Sequence, residues 1–482
     1  MSNNIKNRDE IAGGIRSKYL ILFSDGKEID IHNRDNEKLF KQLENCRDKE
    51  LKDFIISEHH RSKINRETPS IKEMQRQRLV DYEPASDSGH FRLYPKGNLI
   101  FELLKDWAYE IAVNRFHALH INTPLLFDWS DNEIRQQAGS FHENHYIVKT
   151  PDNPEKELIL RFSGDFGLFK VMKNANVSYR HLPLRIYEFS KSFRYERSGS
   201  LSGLKRLRAF HMPDIHCFCR DVDQAWEEYE HLYRCYSDLA DGVDLKYAIC
   251  FRICGDFYNR YKERICKLLY YSNKPAYIEI LSEMKHYWII KHEFQAIDYF
   301  GGSVQLSTVQ LDIKDSDIYG IYHSDKDGKK KGCTICHSSI GSIERWMYTI
   351  LEEALKKEKP ILPAWLAPTQ LRIIPVSKEF LDYCLSLDFC GIRFDIDDLD
   401  DSLGKKIARS NKNWVPFVAV VGQKEIDSKS FEVNIRRSGK QVNISFEEIT
   451  ELIKKEIRGF PFRKNTLSKL LSNRPVFFDF SG

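Results

Sequence analysis

LRIYEFSKSFRYERSGSLSGLKRLRAFHMPDIHCFCR, residues 184–220, alternates, turns through SGSLSG (198–203) and alternates again. On the first arm Glu188, Arg194 and Glu196 fall on one face, and Tyr187, Phe189, Phe193 and Tyr195 on the other. The glycines make a loop, so the stretch reads as an antiparallel pair of strands. That pairing collects Arg194, Glu196, Arg206, Arg208, Phe210 and Asp214 on or near one surface. These types suit a nucleoside triphosphate: cations for phosphates, an aromatic ring for a base, a carboxylate for an amine. A solvated charged face would explain one Arg/Glu pair, but it accounts poorly for the full set.

Outward from that stretch, the chain of 482 residues has room for two to four domains. It is 41% hydrophobic and 30% charged, an ordinary globular balance, with no run of eighteen apolar residues. MSNNIKNRDE is no signal peptide, and the expectation is a cytoplasmic protein without a membrane segment. Eleven cysteines scattered over this length do not suggest a disulfide framework. A net charge of +4 permits a polyanionic partner without demanding one.

Residues 1–85 are charged and irregular, an N-terminal extension or small module. From Pro95, an amphipathic helix carries Leu99, Leu103, Leu104, Trp107 and Ile111 at core spacing. A strand over 120–127 carries Pro124, which belongs at an edge or a seam. Another strand is expected over 158–169, a helix ending near Gly242, and a glycine-introduced strand over 300–313. A helix then holds Ile343, Trp346, Met347, Ile350, Leu351 and Ala354 as its buried stripe, with Arg345 in its first turn. Prolines 360, 363 and 368 mark a boundary, after which strands and helices alternate as in a mainly parallel α/β domain. The tail interleaves Arg458, Arg463, Lys464, Lys469 and Arg474 with Phe460 and Phe462, a mixture suited to RNA or to solvent.

FRYE, a loop, and then Arg206-x-x-x-Phe210 resemble motif 2 of the class II aminoacyl-tRNA synthetases. The longer wording from PLR to HCFC resembles the threonyl branch, the archaeal type most. SDSGHFRLYPKG with its helix and Pro-bearing strand resembles motif 1, and the helix of Arg345 resembles motif 3. The resemblance spans roughly residues 80–482 and implies an α+β fold. It would have an antiparallel-sheet catalytic domain over 86–362 and an α/β anticodon-binding domain over 363–482. It implies a threonine–tRNA ligase acting as a homodimer on threonine, ATP with Mg²⁺, and tRNA(Thr). Two alternatives stay open: a paralogue with another amino acid or acceptor, and a non-catalytic tRNA-binding paralogue. The short N-terminus implies no editing domain, and hence a separate deacylase for misattached serine.

The same resemblance implies roles for residues. Arg194 and Arg345 would be catalytic, and with Glu196, Arg206, Phe210, Gln305 and Thr308 would bind ATP. Asp214 and Gln310 would bind the amino acid, while His142 and Glu425 would touch tRNA. A second anticodon contact falls on Asn434, where the family has arginine. The family's zinc is held by one cysteine and two histidines. Here those places fall on Asp165, His216 and Cys336, with His337 adjacent to the last, giving a more negative set.

Overall fold

The computed structural model describes residues 16–31, 36–44, 46–59, 68–139, 145–284 and 287–478. They form two compact units, interleaved along the chain. The first takes 1–66, 109–201 and 205–346, and the second takes 67–108, 202–204 and 347–482.

The first unit is built on ten strands: β1 (Ser17–Leu22), β2 (Glu28–Asp30), β3 (Leu119–Ile121), β4 (Leu184–Phe193), β5 (Ala209–Cys219), β6 (Tyr247–Cys254), β7 (Ala276–Leu281), β8 (Trp288–Ile297), β9 (Ser303–Asp312) and β10 (Thr334–Ser339). Their order is β2-β1-β7-β6-β8-β9-β10-β5-β4-β3. Only the pairs β6–β7 and β4–β3 are parallel. The central run from β6 to β4 is antiparallel throughout, as expected. β1 and β2 lengthen this sheet.

Because the central strands are covered on both faces, they are almost continuously buried rather than alternating. One face is covered by a 21-residue helix, Val222–Gly242, capped by Asp221, whose side chain accepts from Gln224 N. Its Tyr236 hydroxyl meets Ser338 Oγ of β10 at 2.8 Å. The other face bears the candidate site, and a hydrophobic cluster of this unit includes Phe162, Phe166, Phe169 and Phe218.

Two local expectations shift. The strand foreseen over 120–127 is two, Leu119–Ile121 and Leu126–Asp128, with Pro124 in the break. Proline cannot donate to a ladder, so pairing stops there, and β3 lies at the sheet edge. The strand foreseen over 158–169 ends at Leu160, and Asp165–Lys173 is helix. The intervening Ser163-Gly164 suits a helix start better than a strand.

In the second unit the strands Leu371–Pro375, Phe394–Ile396, Phe417–Val421, Ser430–Ile435 and Lys440–Ser445 form a separate sheet. Only its first three strands are parallel; the last two are an antiparallel hairpin, so the sheet is mixed. Its core gathers Ile373, Phe394, Phe417, Val433 and Ile449. Arg372 and Asp395, both buried, pair through two hydrogen bonds of 2.7 and 2.9 Å. The tail folds back within this unit. Arg463 pairs with Asp106, Arg474 with Asp395, and Phe460 stacks on Trp365 at 4.8 Å. Those three are occupied internally, leaving Arg458, Phe462, Lys464 and Lys469 as the other, exposed members of the foreseen RNA-contacting mixture.

Candidate active site

Three strands supply the floor. The register sets Asp214 against Ser339, His216 against His337, and Gln310 against His337. Alternation then places Asp214, His216, His337, Ser339, Gln310 and Thr308 on one face. Cys336 pairs with Cys217 and Leu311 on the opposite face, toward the long helix. Cys336 therefore drops out of the ligand set foreseen from the sequence, and its neighbour His337 enters it.

Donor atoms of Asp165, His216 and His337 lie within 4.8 Å of one another. His216 Nε2 is 3.0 Å from Asp165 Oδ1, and the two imidazole centroids are 5.0 Å apart. Asp165 reaches them because it opens its helix after Gly164. A Cβ on Gly164 would stand 2.9 Å from Ser190 Oγ and 3.2 Å from Asp214 Oδ2, so the backbone must come this close. His337 Nε2 also meets the buried Asp312 Oδ2 at 2.7 Å. A carboxylate behind an imidazole orients the ring and raises its basicity. Despite burial, that contact, with Asp165 and Asp315, lifts His337 to about 9. Burial, then Asp165, pushes Asp214 up to about 6, against hydrogen bonds from Ser339 and Ser190. Asp165 is held well below the usual carboxylate range by His216 and His337, against its burial. One carboxylate and two imidazoles form a set competent for zinc and related divalent ions, with positions left for other ligands.

Beside this cluster lie the cations. Arg194 donates from Nε to Phe162 O at 3.0 Å, and its guanidinium stands 5.2 Å from the Phe210 ring centroid. Arg206, about half exposed, meets Glu196 at 3.0 Å. Arg345 donates to Lys205 O and Gln305 O, each at 3.1 Å. Burial, then the charges of Arg194 and Arg206, draws Arg345 down to about 10, against Glu196 and Glu293. Arg208 is fixed differently: it donates to Glu196 O at 2.8 Å and covers the Tyr195 ring at 4.1 Å, so it supports the loop. Glu188, read with the polar face, is buried and ion-paired to Arg161 at 2.8 Å.

Other foreseen residues are partly committed. The Thr308 hydroxyl donates to His292 O at 2.8 Å, and Gln310 Oε1 accepts from the Tyr287 hydroxyl at 3.0 Å. Glu425 caps its own short helix by accepting from Gly422 N at 2.9 Å, while Asn434 is exposed on the hairpin. His142 lies outside the described residues. Sequence reading did not reach Asp312, Asp315, Ser190 and Tyr287. No local motif marks them, and only the strand register and the tertiary fold gather them.

A mostly antiparallel sheet carrying a group of cations and a histidine–carboxylate cluster fits the core of a class II aminoacyl-tRNA synthetase. Residues 146–354 match a family model described as the tRNA synthetase class II core domain (G, H, P, S and T), and 370–456 one described as an anticodon binding domain. The chain is 39% identical over 477 residues to the threonine–tRNA ligase of Thermococcus kodakarensis, covering 96% of this chain and 74% of that protein. It is 40% identical over 475 residues to that of Pyrococcus horikoshii, with the same two coverages. Solved structures share the fold. The RNA binding domain of threonyl-tRNA synthetase from Cryptosporidium parvum aligns with a TM-score of 0.70 at 22% identity, over 81% of this chain and 98% of that one. Prolyl-tRNA synthetase from the same organism aligns at 0.65 and 17%, over 81% and 75%. The chain belongs to the threonine–tRNA ligase family.

Proposed function

We propose that this protein activates threonine with ATP and transfers it to the 3′ end of tRNA(Thr). The grouping of Arg194, Arg206 and Arg345 around one site, beside Phe210 and Glu196, carries the reading, because cations, an aromatic ring and a carboxylate are what a nucleoside triphosphate needs. The threonine carboxylate attacks the α-phosphorus, the bond to the bridging oxygen breaks, and pyrophosphate leaves in line. Such chemistry is mostly positioning and charge stabilisation. Arg194 meets the α-phosphate where charge develops. Phe210 stacks on adenine and Glu196 accepts from its amino group, while Arg206 and Arg345 hold the outer phosphates with Mg²⁺. Gln305 and Thr308 line the nucleotide.

Asp214 and Gln310 orient the amino acid. Asp165, His216 and His337 are the residues that would hold zinc, which when bound supplies a Lewis acid for the substrate's amino and hydroxyl groups. Asp312 orients His337 from behind. Valine, lacking the hydroxyl, would be rejected strongly, and serine, smaller by a methyl, only partly. The edge strand Leu119–Ile121, whose Leu119 is 59% exposed, supports a homodimer seam. Glu425 is the anticodon contact this reading proposes, and Asn434 stands where the family has the second one, an arginine.

The test is ATP–pyrophosphate exchange with each amino acid. Threonine-dependent exchange is expected, and Arg345→Ala should reduce kcat/KM by about a hundredfold or more, the cost of one lost charge-stabilising donor. Exchange with another amino acid alone, or with none, would overturn the reading.

A further inference from the structure

The second unit contains a cavity of about 470 Å³, separate from the site described above and lined only by residues of that unit. Five cations line it, Arg78, Lys96, Arg372, Arg409 and Arg474, and no carboxylate is among the lining residues. Three acids stand behind the wall. Asp395 pairs with Arg372 and Arg474, and Asp397 and Asp401 pair with Arg409. Arg78 and Lys96 have no such partner among the described residues, which leaves a surplus of two positive charges facing the space.

The rest of the wall is mostly apolar or aromatic, including Leu79, Trp414, Val415 and Phe477, with Gln77, Thr369, Asn413 and Ser472 as its neutral polar members. A volume of this size suits a small organic molecule. Two of its contributors, Arg78 and Trp414, hold left-handed backbone at φ of 53° and 55°, which non-glycine residues adopt only when their surroundings enforce it. Burial, with Arg372, Arg474 and Arg78 adding repulsion, draws Lys96 down to about 7, against Asp395. An ammonium in that position is destabilising until an anion joins it.

We propose that this cavity binds a dianionic organic phosphate whose body is of nucleoside size. The phosphate sits between Lys96, Arg78 and Arg474, where two charges match the surplus and charge-assisted hydrogen bonds are available. The body lies against Trp414 and Phe477, whose rings accept a planar group. The site is independent of aminoacylation chemistry.

Uridine 5′-monophosphate, uridine and inorganic phosphate would serve as probes in calorimetric titrations of the full chain. A saturating sulfamoyl analogue of the aminoacyl-adenylate, which carries no phosphate dianion, would block the catalytic nucleotide site. The monophosphate should bind, uridine should not, and inorganic phosphate should bind more weakly. Lys96→Met and Arg78→Gln should each weaken binding by about tenfold or more, the loss of one charge-assisted contact. Ligand-free Lys96→Met should also melt higher than the parent, because it removes a repelled cation, whereas a structural lysine would give the opposite sign. No heat with the monophosphate, affinity unchanged in both variants, or affinity no better than that of inorganic phosphate would overturn the proposal. If Lys96→Met does not fold, Arg78→Gln decides the binding result alone.

Discussion

At the scale of residues, the histidine–carboxylate cluster turns on one position of strand alternation. Cys336 and His337 are neighbours in sequence but point to opposite faces. The two make opposite predictions on substitution. His337→Ala should remove most bound zinc and lower threonine-dependent exchange by about tenfold to a hundredfold, as lost ligation commonly does. Cys336→Ser should leave metal content unchanged and cost only packing stability, read by elemental analysis and thermal melts of the same samples. A pH effect belongs here too. The Lys96 pKa is drawn down to about 7 from its usual 10.5, so between those values the unfolded chain binds more protons than the folded one. Stability from this group therefore rises with pH across that window, and below about 7 the full penalty remains. The melting advantage of Lys96→Met should be largest near pH 7 and fade toward pH 10, as thermal melts at both values would reveal.

At the scale of elements, what was legible was local. The helix Ile343–Leu355 shows its buried stripe in sequence, because 3.6-residue periodicity needs no partner to be seen. The hairpin of 184–219 was equally plain, with its loop glycines between two alternating arms. What escaped depended on pairing. Which face His337 takes is decided by its register with His216, and the start of the Asp165 helix by how closely Gly164 approaches Ser190. The tail read as basic and aromatic, yet Arg463 and Arg474 meet carboxylates more than seventy residues away in sequence. Composition cannot reveal such partners. The turn ahead of the Arg345 helix provides an element-scale test. Gly341 has φ of 103°, and a Cβ there would stand 2.9 Å from the Leu306 carbonyl carbon. Gly341→Ala should destabilise by about 1–3 kcal/mol and shift the helix that carries Arg345. Thermal unfolding should fall, and the KM for ATP should rise.

At the scale of the whole molecule, a catalytic unit and an RNA-reading unit must each fold around buried charge. In the second unit Asp395 accepts from Arg372, Arg474 and Thr369 while fully buried. Asp395→Asn would strand two guanidiniums, and denaturant unfolding should show a loss of about 3–5 kcal/mol. The first unit sets Arg194 at a strand end, Arg206 in the hairpin loop and Arg345 on a helix, near a cluster able to take a metal. Threonine transfer to tRNA is the function that uses both units at once. The direct measurement is the charging of tRNA transcripts by the purified full chain with each labelled amino acid. Threonine should be esterified to tRNA(Thr) in preference to valine and serine. Charging with a different amino acid, or no charging of any transcript, would contradict the account.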